Sequence, residues 1–295
     1  MTVLYLLLPA ALAIVVGLGF RAAPSRLHPR TAAIVLVLVA VLSALSFLGA
    51  LALVAVAFVT QYGPLADLCR AVSASHDSVP PWMGFPAIVS LVLVGLSVGR
   101  TFRGIRRPAA LRADSENLQV LDTPRPTAYA VPGRPGHIVV SVGMLRALPA
   151  PERRVLLAHE RSHLERGHHR YLHAVELAAA AAPVLRCLKR QVRHATERWA
   201  DEDAADRVGD RRLVASALAR ASLAGTDFGR APAMGLVGGS VPARIDALLA
   251  EPASTSMVRR ATLLSLLGLT AAFATSTVQM HHLLAFANHV CPSWA

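Results

Sequence analysis

Acidic side chains are scarce in this chain. Eighteen Asp and Glu stand against 30 Lys and Arg, and charged residues of both signs make up only 16% of its 295 positions. An ordinary soluble domain carries about 25% charge, so a water-exposed surface cannot account for the whole sequence. Cysteine is rarer still, with Cys69, Cys187 and Cys291 far apart, too few for a disulfide framework and nowhere paired as a thiolate metal motif. The basic excess of +12 invites a nucleic-acid reading. No helix-turn-helix or comparable module accompanies it, and its arginines cluster beside apolar runs, so direct nucleic-acid binding is set aside.

What is abundant is apolar surface, at 54% of residues with a mean hydropathy of +0.47. Residues 3–20, 31–60 and 83–99 are free of charge, and each is long enough to cross a hydrocarbon core of roughly 30 Å as a helix. A fourth such run begins at Ala261. No basic residue precedes the first run, which favours a retained span over a cleaved signal peptide. Arg21, Arg26 and Arg30 fill the first loop, and Arg100, Arg103, Arg106 and Arg107 follow the third run. Loops rich in arginine stay inside, and such residues attract anionic lipid headgroups at about 1 kcal/mol each. The expected layout has three transmembrane helices in 1–99, a cytoplasmic domain over 100–258, and a fourth transmembrane helix with a short extracellular tail in 259–295. Both termini then lie outside a cell membrane that the chain crosses several times, with the bilayer itself as a partner.

The chemistry concentrates at His159-Glu160-Arg161-Ser162-His163. Two imidazoles four residues apart on a helix face the same way and can hold one zinc ion, and the carboxylate between them supplies a base. The apolar stripe in the residues leading into the motif suits a helix buried on one side. A solvated charged helix face is the bland reading of the same residues, and the pentapeptide alone does not dismiss it. Catalytic zinc keeps three protein ligands. His169 stands ten residues after His159, the metzincin spacing, but that arrangement needs glycine at position 166, where this chain has Arg166. Glu197 is the stronger candidate: on a helix Asp201 shares its face, free to accept a hydrogen bond from the far nitrogen of a ligating histidine. The pattern repeats five residues on, from Glu202 to Asp206, and only one of the two frames can face the metal.

These residues resemble the integral-membrane gluzincin peptidases, including the HtpX-like proteases and the BlaR/MecR-type antirepressor proteases. The likeness lies in the segment 128–143, similar to the hairpin before the metal helix, in the motif itself with Gly167 and His168 after it, and in 197–202. It is weaker at 241–249. It implies a mainly α-helical membrane protein: four transmembrane helices plus a cytoplasmic α+β zincin-like domain with a small β-hairpin or sheet. It favours Glu197 over Glu202 as the third ligand beside His159 and His163, with Glu160 catalytic and one Zn2+ per chain. The penicillin-binding sensor of the antibiotic-responsive members has no counterpart in these 295 residues, so direct β-lactam sensing is not expected. His168, Tyr171 and Arg193 are candidates for substrate or transition-state contacts. The strand expected at 137–142 is read as an edge beside the cleft, where a peptide could add.

The remaining expectations concern placement and use. The proposed topology puts Cys69 and Cys291 in an oxidising space, which makes them a candidate disulfide. The segment 174–188 is almost apolar enough to cross a bilayer, yet a single crossing would separate the zinc ligands. It is read as a helix buried in the domain or lying against the membrane, with a short re-entrant hairpin as the other alternative. Function follows as membrane-anchored proteolysis of a cytoplasmic or membrane-proximal protein, a transcriptional repressor among the candidates, with a homodimer as one arrangement. The alternative is a non-catalytic signalling or scaffold protein that keeps the fold.

Overall fold

The computed structural model describes residues 28–62, 81–106, 118–133, 135–226 and 241–250, with isolated helical positions between 270 and 281. Two long helices come first, α1 (Pro29–Tyr62) and α2 (Pro81–Arg106). Both are long and apolar enough to cross a membrane, and they contain the expected second and third spans. The first expected span, most of the fourth, and Cys69 and Cys291 lie outside the described residues. Phe58 of α1 meets Phe85 of α2 edge-on at 5.6 Å. Along the rest of α2, Val89, Val92, Leu93, Leu96 and Phe102 are exposed.

A three-stranded sheet follows, made of β1 (Leu118–Leu121), β2 (Ala128–Val131) and β3 (His137–Ser141) in the order β1-β3-β2. β1 runs parallel to β3, and β2 and β3 form an antiparallel hairpin with Ala130 opposite Ile138. The reading of 137–142 as an edge is therefore corrected, and Val142 already belongs to the next helix. Every residue of β3 is buried, because this continuous apolar run takes the central place, while the edge beside the metal helix belongs to β2. Helix α3 (Val142–Ala147) starts where the Ser141 hydroxyl caps it, accepting from Met144 N–H at 3.0 Å. Gly143 is obligatory there, since a Cβ would lie 2.0 Å from the Pro124 carbonyl oxygen.

Helix α4 (Ala150–Glu165) has Pro151 in its first turn and Glu152 favourably at its positive end. Gly167, with φ of 62°, reverses the chain into α5 (His168–Ala181). That left-handed conformation costs glycine nothing. Pro183 ends the apolar run, so 174–188 is not one continuous helix, and of the expected alternatives only a hairpin fits its course. A 3-10 turn at Pro183–Leu185 joins α5 to the long helix α6 (Arg186–Val208), forming a hairpin. Helices α7 (Arg211–Thr226) and α8 (Val241–Leu249) complete the domain.

Two cores result. Val155 and Leu156 of α4 pack with Ala204 and Ala205 of α6, with Val214 and Leu218 of α7 and with Leu248 of α8. The second core binds α1 to the hairpin, through Val35, Leu36, Val39, Ala40 and Ala44 against Val175, Ala178, Ala181, Leu185, Leu188 and Val192. Alanines on both sides let these backbones approach closely, and small residues are what helix interfaces in membranes use.

Candidate metal centre

Helix α4 presents His159, Glu160 and His163, and α6 crosses it to present Glu197 and Asp201. The Nε2 atoms of His159 and His163 stand 3.1 Å apart. Glu197 reaches His159 Nε2 at 3.5 Å and His163 Nε2 at 3.8 Å. Donors around a tetrahedral zinc with bonds of roughly 2.0 to 2.1 Å are about 3.3 Å apart, so the set has the right chemistry and spacing. His159, His163 and Glu197 thus form a possible metal site.

Charge fits it too. All three groups are buried or nearly so. Burial alone would lower the pKa of His159, but hydrogen bonds and charge from Asp201 and Glu197 outweigh it and raise the value to about 10. A site that holds a proton so strongly between carboxylates attracts a divalent cation for the same reason. Burial pushes His163 down to about 3, leaving it in the neutral form that binds metals.

Around these groups the side chains fix one another. His159 Nδ1 lies 3.1 Å from Asp201. Asp201 is gripped by Arg244 of α8 through two hydrogen bonds, from Nε at 2.7 Å and from Nη2 at 2.6 Å. Arg244 is wholly buried, and its Nη1 stands 3.2 Å from Glu197 without hydrogen-bond geometry. Burial opposes ionisation of Asp201, yet Arg244 and His159 together hold its carboxyl well below the usual range. Sequence reasoning missed Arg244. The signal available was the weak likeness at 241–249, which carries an arginine and no motif that names its role.

On the other side, His168 Nδ1 lies 2.9 Å from His163 Nδ1. A metal-binding lone pair on His163 Nε2 places that ring's proton on Nδ1, to be donated to His168. The His168 ring is buried against Trp199 at 4.8 Å, and burial lowers its pKa to about 3, which suits a neutral acceptor. Tyr171 packs on the same Trp199 at 5.8 Å. The Arg193 carbonyl accepts from the Thr196 hydroxyl at 2.9 Å. The structure thus brings His168 against a metal-site residue, while Tyr171 and Arg193 stand further back. His169 is apart from the cluster, lining a surface groove with Gly133, Leu164 and Arg170.

The competing acidic frame faces elsewhere. Glu202 pairs with Arg211, and Asp203 accepts from Ser162 at 2.7 Å and from Arg166 at 2.8 Å. Glu160 is only 2% exposed. Burial raises its pKa to about 7, against a backbone hydrogen bond from Ala130 of β2.

Neither the curated proteins nor the solved structures contain a match to this chain. The model of peptidase family M48 matches residues 97–252, just over half of the sequence and the stretch that supplies every side chain of the cluster. The chain therefore belongs to peptidase family M48, whose members are metallopeptidases that typically bind zinc.

Proposed function

We propose that this M48 chain is a membrane-anchored zinc endopeptidase that cuts a cytoplasmic or membrane-proximal protein, akin to the HtpX-like and antirepressor types. A transcriptional repressor or similar regulator is the substrate class that resemblance suggests. The observation that carries the reading is the convergence of His159, His163 and Glu197, with ligand atoms all within 4.8 Å of one another, beside a buried carboxyl poised near neutrality. His159, His163 and Glu197 would hold the metal. Zinc in such a site acts as a Lewis acid toward the scissile carbonyl and acidifies a water molecule.

Glu160 takes the proton from the attacking water and returns it to the leaving amine. A pKa of about 7 suits both halves of that exchange at neutral pH. Asp201 and Arg244 keep His159 turned toward the metal, and His168 does the same for His163. The free edge of β2 lies next to Glu160 through Ala130. A peptide added there as a strand gains backbone hydrogen bonds and passes the base. The exposed apolar faces of α1 and α2 anchor the enzyme in the bilayer, with the cluster on the cytoplasmic side.

Elemental analysis and a casein-like test protein check this reading. The wild type should carry one zinc per chain and His163→Ala should lose it. Glu160→Gln should keep the metal while cleavage falls about 10²- to 10⁴-fold. Cleavage that survives Glu160→Gln would refute the assignment.

A further inference from the structure

The apolar run 31–60 is about ten residues longer than a crossing needs, since about 20 suffice. One face of its first half packs on protein. At the start of α1, Ala32 and Ala33 pack on Trp199. Further along, Ala44 shares a core with Leu185 and Leu188 at the hairpin turn, and Phe47 and Leu48 pack against it. Helices α1, α5 and α6 therefore lie side by side from the metal centre to the turn. From Glu197 back to Arg186 is eleven residues of helix, about 17 Å at 1.5 Å per residue.

Beyond the turn α1 and α2 continue without the hairpin. Counting about 20 residues inward from Tyr62 on α1 and from Pro81 on α2 puts the inner hydrocarbon boundary near position 42 and near Arg100. The two counts agree, because Ala44 of α1 and Val98 of α2 pack in one cluster with Leu185. At the turn, Pro183, Val184 and Cys187 are exposed, Val184 at 48%. Arg186 and Arg190, in the first two turns of α6, are exposed as well, as are Arg100 and Arg103 near the inner end of α2, and Lys189 lies 4.0 Å from Glu176.

We infer that the turn of the α5–α6 hairpin is a lipid-binding wedge: Val184 enters the bilayer interface while Arg186 and Arg190, with Arg100 beside them, bind anionic phospholipid headgroups. Continuity with the exposed apolar face of α2 and the sign of the surrounding charge select this occupant. The inference rests on the membrane anchoring proposed above. Cationic side chains at such a boundary attract anionic lipid, and an apolar residue among them adds depth.

The full chain with Cys69→Ser and Cys291→Ser retains Cys187 as its one thiol for an environment-sensitive fluorophore. Two comparison thiols replace it in turn, Leu45→Cys on the exposed side of α1 and Arg212→Cys on α7. Each is reconstituted in vesicles of phosphatidylcholine, with or without phosphatidylglycerol, carrying a headgroup-depth nitroxide quencher. Labels at 187 and 45 should be quenched and the label at 212 should not. Phosphatidylglycerol should increase quenching at 187. Arg186→Gln with Arg190→Gln should cut that quenching by about half and leave position 45 unchanged. Quenching at 45 without quenching at 187 overturns the wedge and leaves the anchoring intact. Absence of quenching at both overturns the anchoring, and the wedge with it. Quenching at 187 that ignores lipid charge and both substitutions overturns headgroup recognition.

Discussion

One proton, and which ring nitrogen carries it, decides how His163 faces the metal position. If His168 is what directs that proton, His168→Phe should keep the packing against Trp199 and weaken zinc binding about 10- to 100-fold, read by chelator competition. Asp203 serves the back of the same helix. Burial raises its pKa, but Arg166 and Ser162 overcome this and hold it below the usual carboxylate range. A carboxyl depressed by folding stabilises the protein above its unfolded pKa, and the gain is lost as pH falls through the folded value. Asp203→Asn should therefore lower Tm near neutral pH, and its deficit against wild type should shrink below about pH 4. At this scale the histidine pair and Glu197 were legible, because four-residue spacing fixes what shares a helix face. The sequence leaves His168 as a support of the metal ligands, a surface residue or a substrate contact, and the choice among these depends on the reversal at Gly167. Arg244 was not legible at all, being 43 residues from the aspartate it grips and joined to it only by folding.

Among the elements, helices explained themselves and strands did not. The acidic repeat shows why the helices succeed: five residues is more than one turn, so Glu197 and Glu202 had to diverge, and they do, toward the metal cluster and toward Arg211. β3 shows the opposite. A continuous apolar run marks a buried strand, yet which neighbours bury it depends on β1, four residues with no signature of their own. The break at Pro183 was in plain view, but whether proline kinks a helix or turns it into a hairpin is decided by what packs alongside. Here that is α1, whose alanines fit the hairpin closely. Ala40 is fully buried in this contact, and Ala40→Leu should overpack it, destabilising the protein by about 1 to 3 kcal/mol in thermal unfolding of the detergent-solubilised chain.

For the molecule as a whole, the sequence read apolar length correctly and its use incompletely. Thirty uncharged residues announce a helix long and apolar enough to cross a membrane. They do not announce that the first part of the helix is the third member of a bundle inside the peptidase, where Ala33 and Ala40 have no exposure. Under the anchoring proposed above, that sharing joins the anchor and the peptidase domain in one packed unit, and the metal centre would stand at a set height over the lipid, about 17 Å along α6. A chain tethered in the same leaflet must climb that far before any of its peptide bonds can be reached, and extended polypeptide rises about 3.3 Å per residue. A ladder of tethered test substrates with spacers of increasing length should stay intact below about five residues and be cut above it, as read on a gel. The protein would then select its targets partly by ruler, sparing whatever hugs the bilayer.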